Sequence, residues 1–217
     1  MSIMDQARSA SASAAGQVLA GATRSLAAAR PAAKPLHPRG ELMRGRIYRH
    51  GLWPATEVDW IDRPGEDDVL VRLSRAIGLP SALPDIHGLA VRVPVEGGVG
   101  DLLFASTGWG KLSRYVLTAA RSPQARPMTT LLPYRGPSGP VLLGARANGA
   151  ESFELSCATP DFDFRVFADL RLSRCAVDDQ DVSFDPVRHQ LPDLDQYPAV
   201  EMLREPAYRR ARDSRSA

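Results

Sequence analysis

Cysteine, lysine, asparagine and aromatic residues are all scarce in this 217-residue chain. The two cysteines, Cys157 and Cys175, form no Cys-x-x-Cys pair, which excludes a disulfide scaffold and the common zinc spacings. Each lies in a strand-like run, so buried free thiols in a reducing compartment are expected, with a cytoplasmic location. Lysine occurs only at Lys34 and Lys111, arginine supplies the other cations, and the net charge is +2. No basic stripe interleaved with aromatics appears before a short C-terminal run, so nucleic acid is not an expected partner. No apolar run approaches the roughly 20 residues of a membrane span. No Gly-x-Ser-x-Gly elbow is present, which leaves a hydrolase built on Ser74 or Ser106 with His87 without motif support. The single asparagine, Asn148, sits in an expected turn.

Residues 5–30 are rich in Ala and Ser. Val18, Leu19, Ala22 and Leu26 recur there at helical spacing, and Pro31, Pro35 and Pro38 then enforce an extended linker. Residues 1–36 thus read as an arm and 37–217 as one domain long enough for its own core. The core pattern begins in Val69–Leu73, where Val69, Val71 and Leu73 alternate with Leu70 and Arg72. It returns in Leu89–Val95 and in Asp101–Ala105. Alternation of this kind marks strands with two unlike faces. Leu52 to Asp68 reads as a loop, Thr129–Arg146 as a hairpin turning at Gly136–Gly139, and Phe153–Ser173 as a second hairpin. Short strands at regular spacing favour an antiparallel barrel over βαβ units. The expected class is α+β, mainly β, with an N-terminal helical arm and a C-terminal helix.

An ordered set of short motifs accompanies this pattern. Val71-Arg72-Leu73-Ser74 is followed by Asp85-Ile86-His87-Gly88-Leu89-Ala90-Val91-Arg92-Val93 and then by Asp101-Leu102-Leu103. Near the end come Phe184-Asp185-Pro186, Leu191-Pro192-Asp193-Leu194 and Met202-Leu203-Arg204-Glu205-Pro206-Ala207-Tyr208. In order and spacing the set resembles the haem catalases, over roughly residues 37–208. The resemblance implies a catalase-type barrel around a hydrophobic pocket, with haem b as cofactor. It implies Tyr208 as the axial iron ligand, with Arg204 one helical turn before it favouring the phenolate. Arg46 and Arg72 would face the haem propionates. His50 would move a proton between the oxygens of a bound peroxide, with Ser74 as its hydrogen-bond partner. Tyr48 takes the place of His50 if the alignment carries no insertion.

Two departures bear on activity. The amide that catalases place after the Asp-Leu-Val strand is missing, since Ala105, Ser106 and Thr107 stand there. Pro206 lies between Arg204 and Tyr208 and starts the terminal helix near Glu205. The resemblance therefore implies a weak catalase, or a peroxidase acting on hydrogen peroxide or organic hydroperoxides, with a homo-oligomer as a further expectation. The alternative is a haem-free barrel of the same type that binds a small apolar ligand or a protein partner without catalysis.

Overall fold

A computed structural model describes residues 40–76, 82–176, 182–200 and 202. The expected N-terminal helix and the C-terminal helix bearing Arg204 and Tyr208 lie outside these residues. The described chain is mainly β. Its strands are β1 (Gly40–Arg49), β2 (Gly65–Arg75), β3 (His87–Val95), β4 (Gly98–Ser106), β5 (Met128–Thr129), β6 (Tyr134–Gly136), β7 (Gly139–Gly149), β8 (Ser152–Ala158) and β9 (Arg165–Ala176). A one-turn helix α1 (Asp59–Asp62) precedes β2, and a 3-10 turn at Ser113–Tyr115 follows β4.

All neighbouring strands are antiparallel, in the order β5-β4-β3-β2-β1-β9-β8-β7-β6. The sheet closes where β5 also pairs with β7, through Met128 with Ala145 and Thr129 with Gly144. Eight strands form the ring, and β6 pairs with the free half of β7 from Tyr134–Val141 to Gly136–Gly139. The expected hairpin over Thr129–Arg146 is thus two pairings on one strand. Leu131, with φ of 60°, bends the chain between them.

The register separates the two faces. Met43, Val71, Val91 and Leu102 form one cross-strand row on β1 to β4, and each is at most 6% exposed. Ile47 continues the same parity into Leu170, Phe153 and Ala147, and Leu143 lies opposite Cys157. These side chains fill the barrel. Period-two patterning explains this: one apolar face in every strand must be removed from water, and closure removes all of them at once. Val58, Ile61, Leu191 and Leu194 extend the same core from outside the ring. Leu191 lies directly over Gly100, where a Cβ would collide with it. The described interior is thus a cluster of buried apolar side chains. Cys157 is buried and unpaired, and burial pushes its thiol up to about 12.

β2 begins at Gly65, within the stretch read from sequence as loop. Its acidic residues find cations across the sheet: Asp68 accepts from Arg46 at 2.8 Å and Asp67 from Arg49 at 2.8 Å. Asp67 also accepts from the Trp60 indole at 3.2 Å, and Arg49 lies 5.9 Å from the Trp60 ring centre.

Candidate functional site

The outer wall of β1 to β4 carries two of the residues singled out by the motifs, Arg72 and Ser74. At one end of the strands Gly40, Ser74, Gly88 and Ala105 form a cross-strand row. The next row on the same face is Leu42, Arg72, Ala90 and Leu103. Strands lie about 4.8 Å apart, so four of them make a floor about 14 Å wide. Its side chains are small except for Leu42, Leu103 and one guanidinium. The Arg72 side chain folds across Gly40, and a Cβ at Gly40 would collide with it. Leu42 is 2% exposed although it points away from the barrel interior.

The third row is Arg44, Leu70, Arg92 and Asp101. Arg92 holds Asp101 through two bonds of 2.7 Å each. The Asp101 carboxylate is wholly buried and accepts further bonds from the Asp185 backbone N–H at 2.7 Å and from His189 Nδ1 at 2.8 Å. Arg92 also donates to the Ser183 carbonyl at 2.6 Å and stands 5.0 Å from the Phe184 ring centre. Buried charge is tolerated only when it is paired and hydrogen-bonded, and this cluster meets that condition. It clamps the segment from Val182 onward against β4. An open groove of about 310 Å³ runs along this row, floored by Leu70 and walled by Arg44, Asp68, Arg92 and Pro94.

The wall brings together Arg72 and Ser74 but not His50. Gly40 pairs with Ser74 at one end of β1, and His50 follows Arg49 at the other end. Ten residues of strand separate Gly40 from His50, about 30 Å. His50 is exposed and donates through Nε2 to Asp169 at 2.9 Å, and Asn148 donates to the second oxygen of Asp169 at 3.3 Å. His50 and Ser74 thus cannot act on one bound peroxide. Tyr48, the alternative to His50, lies at the same remote end opposite Glu66 and Asp169. Arg46 is also exposed and is engaged by Asp68 and by Glu66 at 3.6 Å. It sits four strand positions from the Arg72 row, about 13 Å away. Arg204 and Tyr208 fall outside the described residues.

His87, at the position of an arginine in the resemblance, is 4% exposed. Its ring donates from Nε2 to the Ala120 carbonyl at 3.0 Å, and its backbone N–H donates to Ser106 Oγ at 3.1 Å. Ser106 in turn donates to the Thr118 carbonyl at 2.7 Å. Both groups are thereby spent on backbone partners, and no nucleophile and base pair is formed between them.

The signal missed at the sequence level is the end of β1 from which Ser74 is reached. His37, the one histidine outside the described residues, precedes Gly40 by three positions, a tether of about 10 Å at most. The described residues contain no group of three His, Cys, Asp or Glu side chains able to hold a metal ion. They also contain no helix long and apolar enough to cross a membrane. In comparisons with known proteins, the chain matches no family model and no curated protein.

Proposed function

We propose that this protein is a haem-dependent, catalase-related enzyme acting on hydrogen peroxide or organic hydroperoxides, with haem b lying against the outer wall of β1 to β4. One observation carries the reading: four adjacent strands present the low row Gly40, Ser74, Gly88 and Ala105 beside Arg72. A planar macrocycle needs such a floor of small side chains, and its carboxylates need a guanidinium at the edge. When bound, haem iron supplies the redox chemistry of peroxide cleavage. In this reading the Tyr208 phenolate holds the iron and Arg204 stands beside it. Arg72 pairs with a propionate, and the Ser74 hydroxyl holds a peroxide oxygen. The imidazole that moves the proton must reach the Ser74 end of β1, which chain length permits for His37 and the span of β1 denies to His50.

The first test is an absorption spectrum of protein expressed with ample haem. A Soret band that Tyr208→Phe abolishes or shifts is the expected result. An unchanged spectrum in that variant removes Tyr208 as ligand. In protein that retains the band, His37→Ala is expected to lower peroxide turnover by at least about 10²-fold, while His50→Ala leaves it unchanged. The reverse pattern would return His50 to the site.

A second reading is favoured by the groove of about 310 Å³ over Leu70 between Arg44 and Arg92. It is a haem-free barrel that holds a small ligand with an apolar body and a carboxylate. Colourless protein after expression with haem moves the assignment to it.

A further inference from the structure

Between Asp101 and Glu151 the chain contains no acidic residue, while Lys111, Arg114, Arg121, Arg126, Arg135 and Arg146 fall in that interval. Three of these cations have close partners, and Lys111 lies within electrostatic reach of Asp163. Arg114 pairs with Asp163, Arg135 pairs with Asp195 at 2.8 Å, and Arg146 stands 5.8 Å from the Trp109 ring centre. Lys111, Arg121 and Arg126 are exposed, and all three lie in the loop that leaves β4 at Ser106 and returns at Met128.

The same loop exposes its apolar side chains. Leu112 is 80% exposed and Val116 52% exposed. They flank the 3-10 turn at Ser113–Tyr115, where the Val116 N–H bonds back to the Ser113 carbonyl at 3.0 Å. The loop is held rigidly to one end of the barrel. Thr118 N–H bonds to the Ser106 carbonyl at 2.8 Å, and Asp85 and Ala120 exchange backbone bonds of 2.9 and 2.8 Å. Leu83, two residues before the Asp85 bridge to Ala120, is 49% exposed as well.

We propose that this end of the barrel docks on an anionic phospholipid surface. Aliphatic side chains presented on a hydrogen-bonded loop with exposed cations around them suit the interface between headgroups and acyl chains, where the apolar groups insert and the cations meet phosphate and carboxylate. A single-stranded nucleic acid would be served instead by exposed aromatic faces. Here Trp109 is taken up in a stack with Phe164, ring centres 4.0 Å apart. The contact is peripheral and crosses no bilayer.

The test is cosedimentation of the full chain with vesicles of phosphatidylcholine alone and with about one third phosphatidylserine. Binding only to the anionic vesicles is expected. Combined Lys111→Glu, Arg121→Glu and Arg126→Glu should weaken it by on the order of 10²-fold. Leu112→Ser with Val116→Ser should weaken it about tenfold at unchanged charge. All five side chains are exposed, so unchanged thermal melting is the control for folding. Failure to bind anionic vesicles overturns the proposal. So does binding that both sets of substitutions leave intact, which would place the contact elsewhere in the chain. Binding to double-stranded DNA at the same salt that falls on charge reversal, with vesicle binding indifferent to Leu112→Ser and Val116→Ser, would overturn it in favour of a polyanion partner.

Discussion

Burial holds the His87 imidazole below its ordinary pKa, and Arg75 adds to the effect, while the Ala120 carbonyl and Asp85 oppose it. The fold therefore prefers the neutral ring, and the unfolded chain takes up the proton first as pH falls. Stability from this site is complete above the ordinary histidine value of about 6.5 and declines as pH drops below it. Urea midpoints measured at about pH 7.5 and about pH 5 should show the loss. His87→Gln keeps an N–H for Ala120 without a titrating group and should reduce it. An identical fall in the variant would assign the pH dependence to other groups. Asp101 is a second buried polar group, and Arg92, His189 and a backbone N–H all converge on its carboxylate.

At the scale of single elements, β7 has a position that tolerates no side chain. Gly144 lies beneath the stacked Trp109 and Phe164, and a Cβ there would stand 2.8 Å from both rings. Gly144→Ala should cost about 1–3 kcal/mol by overpacking, seen as a melting temperature lower by several degrees. An unchanged melting temperature would mean that the stack moves aside freely. The strands themselves were legible where apolar residues alternate, as in Val69–Leu73 and Leu89–Val95, because that pattern is local. The start of β2 was not legible. Glu66, Asp67 and Asp68 look like loop residues until Arg46 and Arg49 of β1 are placed opposite them. Charge pairing across strands depends on partners some twenty residues distant, which no short window contains.

For the whole molecule, closure is uneven. β1 and β2 share ten residue pairs, whereas β5 contributes only two residues between β4 and β7. Opening of a closed sheet should begin at the seam with the fewest bonds. Hydrogen exchange should therefore label peptides over Met128 and Thr129 well before those over Val71 and Val91. Equal protection would show that the ring opens only by global unfolding. In the same closed ring apolar side chains occupy the interior, which is why the proposed haem is set against the outer wall.

What the sequence determined by itself was the antiparallel, mainly β class, the alternating faces and the buried thiol of Cys157, since each follows from neighbours two residues apart or from local composition. The tertiary structure alone decided which residues share a surface. Ser74, Gly88 and Ala105 meet because register aligns them across three strands, with Arg72 in the next row. His50 parts from them because β1 runs its full length between the two ends. A motif order preserves sequence spacing, but a site needs distance in space, and antiparallel pairing turns one into the other only after the register is set.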